Sequence, residues 1–238
     1  MGLNIFGNDP ATSQKPRQRF ADDIVGRFRS GHQLNGRPAS LNEWRVTTGD
    51  PEVADAIHEI LGGEAPQEWE AKGEDNLEVF SASAEVPIIL EGEKALRQKM
   101  VLWSRSGKLI QSGDGQTIDY PEDRKGEPDP DAALSFQERK AKARDGIGAE
   151  PQIELYFRLA EEPDLGIFKF QTGSWSMASD LAYNDVEGEL ADYAADSETG
   201  KVKATLKLER VEFTAKNGPR AGQLVSYVKP VLTIKGAA

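Results

Sequence analysis

The chain reads as an α+β protein: a mainly antiparallel β-sheet with two main helices and a long acidic Gly/Pro-rich loop. Three observations predict this class. Short apolar runs with period-two alternation recur along the 238-residue chain, which is the mark of half-buried strands. Only two segments, 50–63 and 174–193, join a capping residue to a strong apolar face at helical spacing. Between them Gly113 to Asp131, GDGQTIDYPEDRKGEPDPD, is rich in acid, Gly and Pro and poor in core formers. A chain of this length buries a substantial core in one large domain. We therefore divide it into a flexible N-terminal arm at 1–20 and a single α+β domain at 21–238, with a mobile insertion at about 113–150.

Taken in order, Ile24, Arg27 and Phe28, then Leu41, Trp44 and Val46, predict two strands joined by a Gly/Pro/Asn-rich loop from His32 to Ala39. Asp50 caps a helix over 51–61, Pro51 fits its first position, and Val53, Ala54, Ile57, Ile60 and Leu61 form its inner face. Gly62-Gly63 supplies a left-handed exit. Leu77 and Val79, then Val86 to Leu90, return to strand. Met100–Trp103 and Lys108–Gln111 flank the hairpin turn Ser104-Arg105-Ser106-Gly107. Leu134–Arg144 forms a short polar helix, basic at its end. Ile153–Leu159 and Gly166–Phe170 are strands. Ser174 caps a helix from Trp175, with Met177, Leu181, Leu190 and Tyr193 inward and Gly188 weakening its middle. Val202–Phe213 and Leu224–Ile234 close the chain as a long hairpin about KNGPRAG.

Composition bounds the function. Forty acidic against 29 basic residues give a net charge of −11. That field opposes broad, non-specific binding to duplex DNA, which rests on Lys and Arg neutralising phosphates. It suits solubility or a basic protein partner. Locally, Lys15, Arg17, Arg19, Arg27, Arg29 and Arg37 make the N-terminal end basic, as a solvated surface or as a contact to an acidic or phosphate group. No apolar run nears the ~20 residues that span a bilayer, and no secretory h-region is seen. The absence of cysteine removes disulfides and thiolate chemistry and suits a cytoplasmic protein.

The motifs of catalysis are missing. His32 and His58, the only two histidines, have no HExxH spacing, and we read both as structural or surface residues. No G-x-S-x-G elbow or phosphate-binding Gly loop is present. Asp22-Asp23 and Glu161-Glu162 are adjacent in sequence, so on an extended chain they point to opposite faces, wrong for an acid/base pair. Glu127, Asp129, Asp131, Ser135 and Glu138 imitate an EF-hand spacing, yet Ala132 stands where the loop needs Gly and two prolines interrupt it. We expect no enzyme, no metal and no cofactor. Of the four tryptophans, Trp44, Trp103 and Trp175 are expected in the core. Trp69, between Glu68 and Glu70, is the one placed to be exposed, as an interface anchor or, more commonly, a loop staple.

The ordered set GDPEVADAIHEILGGEAPQEWEAKGEDNLEVFSASAEVPIIL (49–90), VLWSRSGKLIQSGDG (101–115) and GIFKFQTGSWSMASDL (166–181) resembles the recombination directionality factors of large serine integrases, found in temperate phages of actinomycetes. The likeness runs from Ile24 to Ile234. It implies a non-enzymatic protein that binds its serine integrase at the coiled-coil and zinc-bearing C-terminal region. The bound integrase is switched from integration to prophage excision in the bacterial cytoplasm. The resemblance implies little direct duplex binding and no membrane, and we expect a monomer. Relatives carry cysteines near the position of Ile110 to Gly115; their absence here excludes a cysteine-held zinc loop. The candidate contacts are Arg17, Arg19, Arg27, Arg29, Trp69, Glu68 and Glu70, together with the 113–131 loop. An alternative is a phage replication or single-stranded DNA-binding accessory protein, which would bind single strands in a salt-dependent way.

Overall fold

Alternation decides which way each strand faces, and the result is one large sheet around one core. The computed structural model describes residues 24–34, 37–71, 73–216 and 221–238. In chain order it contains β1 (Ile24–Leu34), β2 (Arg37–Thr48), α1 (Pro51–Leu61), β3 (Gln67–Glu68), β4 (Leu77–Phe80), β5 (Glu85–Glu91), β6 (Leu96–Trp103), β7 (Leu109–Gly113) and β8 (Ile118–Tyr120). These are followed by α2 (Phe136–Arg144), β9 (Glu150–Leu159), β10 (Ile167–Thr172), α3 (Trp175–Tyr183), α4 (Val186–Asp196), β11 (Lys201–Thr214) and β12 (Leu224–Ala237). The strands hydrogen-bond in the order β12-β11-β5-β9-β10-β1-β2-β4-β3, with β6, β7 and β8 branching as a meander from the other half of β9. Every described ladder is antiparallel except β1 with β10. The class is α+β, as the alternation predicts.

One face of this sheet is apolar. Phe28, Val46, Phe168, Phe170, Ile153, Leu155 and Phe157 are all nearly inaccessible and join one cluster with Val53, Ile57 and Leu61 of α1 and Met177, Leu181 and Leu190 of α3 and α4. At its centre Trp44 is fully buried and meets Phe28 and Phe170 edge to face. Its indole N–H donates to the Ala84 carbonyl at 3.0 Å, which satisfies the one polar atom such a ring brings into a core.

The helix from 51 to 61 forms as expected, with the Asp50 carboxylate accepting the Glu52 N–H. Gly62 and Gly63 follow at positive φ, and a Cβ on Gly63 would lie 2.1 Å from the Phe80 carbonyl oxygen. Only glycine lets the helix exit approach β4 so closely.

Several expectations are corrected. The two main helical segments and the short polar helix are present among the described residues as four α-helices, because the second main segment divides. The long helix expected from Trp175 is broken at Asp185, which takes the left-handed conformation at φ 49°, a state that short polar side chains tolerate. Gly188 lies in the first turn of α4 and not in a helix middle; a Cβ there would sit 2.6 Å from the Asp185 carboxylate. Tyr193, expected inward, is exposed. The loop expected from His32 to Ala39 is ladder instead: His32 pairs with Ala39 and Leu34 with Arg37. Trp103 is 44% exposed, because β9 pairs with β6 only as far as Val101 and the β6–β7 tip runs beyond it. Trp175 is half-buried against the exposed Phe136, edge to face.

The 113–131 segment has more structure than its composition announces. It holds β8, a Thr117–Pro128 bridge and a buried Ile118. The EF-hand look-alike is otherwise engaged: Asp129 accepts from Asp131 N and Gln111, Asp131 pairs with Lys142, and Glu138 completes a capping box with Ser135. No described helix is long and apolar enough to cross a membrane.

Candidate functional site

The second face of the sheet is made by the residues that alternate with the core. On β1 these are Arg27 and Arg29 on either side of Phe28; on β2, Arg45 and Thr47 on either side of Val46; on β10, Lys169 and Gln171. Cross-strand pairing sets them side by side, since paired residues share a face. Arg27 stands opposite both Lys169 and Thr47, and Arg29 opposite Arg45. Four cations therefore lie on adjacent strands.

Three of the four are neutralised. Arg27 pairs with Asp75 at 3.1 Å, Lys169 with Glu154 at 2.7 Å, and Arg45 with Glu78, its Nε donating at 2.6 Å. The Arg45–Glu78 pair is well covered, with side-chain exposures of 10% and 15%. Its cover is Trp69. The Arg45 guanidinium lies 4.3 Å from the centre of the Trp69 ring, a cation–π contact. The Trp69 indole N–H donates to the Asp75 carbonyl at 2.7 Å, and its backbone N–H to Asn76.

Trp69 is thus partly buried and pins its loop to the sheet. These contacts are those of a loop staple.

Arg29 differs from its neighbours. Its Nε donates to the Thr47 hydroxyl at 3.1 Å, its guanidinium stands 6.0 Å from the Trp69 ring, and it makes no ion pair among the described residues. Burial lowers its pKa from the ordinary arginine value, and the charges of Arg45 and Arg27 lower it further, with Asp75 opposing. The group remains charged at any physiological pH. The face here is indented: a crevice of about 420 Å3 separates the ends of β1 and β10 beside Arg29, and one of about 770 Å3 lies between Arg29, Arg45, Trp69 and Glu70.

On the far side, burial raises the pKa of Glu154, but the Lys169 hydrogen bond and charge, the Tyr156 hydroxyl and Arg97 outweigh it and hold the carboxylate below its usual range. Tyr156 lies under Lys169 and Arg97 at 5.3 and 4.8 Å. Such a face is suited to binding anionic or hydrogen-bonding groups of a partner.

The structure brings Arg27, Arg29 and Trp69 together with Glu70, whereas Glu68 is exposed on β3. Arg17 and Arg19, like Lys15, lie outside the described residues. Sequence reading missed Arg45, Lys169, Asp75 and Glu78. The first two were visible in principle: Trp44-Arg45-Val46 and Phe168-Lys169-Phe170 each set a cation between two apolar neighbours, and period two turns it to the polar face. Glu78 carries the same signal between Leu77 and Val79 on β4, whereas Asp75 carries none, because it lies in the loop before β4.

Of the two histidines, His32 meets the Phe80 ring edge-on at 6.4 Å, and the His58 Nδ1 is buried without a hydrogen-bond partner among the described residues.

Fold and site together define an α+β sheet protein with a helix-covered apolar face and a cation-rich outer face carried by β1, β2 and β10. The chain belongs to the Gp3-like family, described as recombination directionality factor-like, whose model matches residues 25–235. That span runs from β1 into the end of β12 and agrees with the extent of the resemblance seen in the sequence. No solved structure matches the chain.

Proposed function

We propose that this protein is the directionality factor of a serine integrase. It binds the integrase and switches it from joining phage and bacterial attachment sites to recombining the left and right prophage junctions. The observation that carries this reading is the family match over 25–235, which covers nearly the whole described fold. The protein acts by binding, in the cytoplasm of the bacterial host, and the integrase makes and breaks every DNA bond. A net charge of −11 favours a protein partner over direct grip on duplex DNA.

The mechanism is a population shift. An integrase with two arrangements of its coiled-coil and zinc-bearing C-terminal region is re-weighted by a factor that binds one of them better; equal affinity for both would change nothing. A differential of ~3 kcal/mol shifts the preference by more than a hundredfold. The outer face of β1, β2 and β10 is the surface we assign to this contact, with Arg27 and Arg29 within it and Trp69 holding its edge.

The test is recombination in vitro with purified protein and actinophage serine integrases, using left-by-right and phage-by-bacterial site pairs. Excision that appears only with the protein, while integration falls, supports the reading. Unchanged products with folded protein and several integrases refute it.

A further inference from the structure

β1 and β10, the one parallel pair among the described ladders, run side by side from Ile24–Ile167 to Phe28–Phe170 and then part. β1 shifts register between Arg29 and Gly31 and continues with β2, while β10 ends at Thr172 and turns through Gly173 into α3. A parallel pair that diverges at its carboxyl end leaves a crevice between the two strands. Here the crevice holds about 420 Å3 and is lined by Arg27, Arg29, Lys169 and Gln171, with Gly31 and Gly173 at its rim.

The charge balance around it is uneven. Arg27, Arg45 and Lys169 each have a carboxylate, in Asp75, Glu78 and Glu154. Arg29 has a hydroxyl, using one of the five donors of its guanidinium. It is half-buried on the sheet and next to two other arginines. Arg29 is thus the one of these four cations without an ion pair among the described residues, tied to Thr47 beside a polar crevice, while the exposed Glu70 lines the neighbouring crevice without pairing with it.

We propose that the β1–β10 crevice is a docking site for a single carboxylate side chain of a protein partner, held by the Arg29 guanidinium. The fork of an arginine matches a carboxylate with two parallel hydrogen bonds. One unbalanced cation fits one monoanion. A nucleic acid strand brings a charge with every nucleotide and would lay the later ones against Asp75, Glu78 and Glu154 on the same face and against the net charge of −11. That the partner is an integrase rests on the directionality reading; the anion site does not.

The experiment is an NMR titration of the full chain labelled with 15N, following the Arg29 Nε–H signal. Three probes are added separately: a capped Gly-Glu-Gly peptide, inorganic phosphate and a short oligothymidylate. Arg105, in the exposed β6–β7 turn, is the internal control. The expected result is a saturable Arg29 shift with the peptide in the millimolar range, while Arg105 drifts without saturating. Arg29→Gln should abolish the saturable response of the crevice amides with the rest of the spectrum preserved. Arg29→Lys, which keeps the charge and loses the fork, should weaken it about tenfold. Parallel responses of Arg29 and Arg105 overturn the site. Saturation by phosphate or oligothymidylate at lower concentration than by peptide overturns the carboxylate and makes the crevice a nucleic-acid contact. Neither result bears on the recombination assay, which uses different components.

Discussion

Trp69 is where an interface reading and a structural reading make opposite predictions, so its removal is the sharpest single perturbation. Trp69→Ala deletes three contributions. The indole donates to the Asp75 carbonyl at 2.7 Å, worth about 1 kcal/mol net for a hydrogen bond of this kind. The ring lies 4.3 Å from the Arg45 guanidinium, about 1 kcal/mol for a partly desolvated cation–π pair. The side chain is partly buried, so roughly 100 Å2 of apolar surface is withdrawn from water, about 2.5 kcal/mol at ~25 cal/mol per Å2. These terms overlap, and the loop can settle over the gap, so we expect a loss of about 2–3 kcal/mol. The Arg45–Glu78 pair, now 10% and 15% exposed, would open to water.

Urea unfolding reads this directly. With a slope of about 2–3 kcal/mol per molar, the midpoint should fall by about 1 M. Trp69→Phe keeps a ring under Arg45 but not the indole donor, and should lose about half as much. The reasoning fails if Trp69→Ala leaves the urea midpoint in place. It fails more instructively if stability is unchanged while integrase binding is lost. Trp69 would then be a contact anchor, and its packing against Arg45 would contribute nothing measurable.

Four further outcomes are expected. Glu78→Ala strands Arg45 as a covered, unpaired cation and should cost about 3 kcal/mol in urea unfolding, more than Asp75→Ala, whose partner Arg27 is 41% exposed. Gly63→Ala should be strongly destabilising, because its Cβ would meet the Phe80 carbonyl at 2.1 Å, whereas Gly107→Ala, with no atom within 4 Å, should cost only the ~1–2 kcal/mol of a left-handed residue; thermal melts of the two variants check the ordering. Glu154, held below its usual range in the folded state, contributes stability that is complete above the unfolded carboxylate pKa and is lost as the pH falls through the folded one. Urea midpoints should therefore drop on acidification below about pH 4, and Glu154→Gln should flatten that drop. Charge reversal of Arg27 together with Arg29 should weaken activation of excision; normal excision with unchanged integrase affinity would make the patch plain solvated surface.

What the sequence reveals of this fold follows the range of the forces involved. Period-two alternation is local and written in every strand, so β4, β5, β9, β10 and the β11–β12 hairpin were legible close to their observed limits. The α1 exit was legible because Gly62-Gly63 states a backbone requirement. Misread elements depend on distant neighbours. Trp103 looks like core until the partner strand stops two residues short of it. The 174–193 segment looks like one helix until Asp185 takes a left-handed turn. The 113–131 segment looks structureless because its order comes from backbone bonds and from Ile118 and Asp129, too few residues to show in composition. At the site, the cations and two of their acidic partners, Glu78 on β4 and Glu154 on β9, alternate with core residues. Asp75 lies in the loop before β4, and which charges pair is set by strand order, a long-range property.

That division explains how an acidic protein can carry a locally basic face. The net charge of −11 describes the long-range field, which decays over about 8 Å at physiological ionic strength and governs encounters with DNA. Within a few ångströms of β1 the pairings govern instead, and they cancel three of four cations. What survives is one positive charge on a rigid strand, fixed by a hydroxyl and bordered by carboxylates that penalise any ligand with more than one negative group. Such a site is weak for polyanions and selective for a single, well-placed acid. A factor that must tell one arrangement of a protein partner from another gains from that selectivity, because only contacts present in one arrangement shift the balance between them.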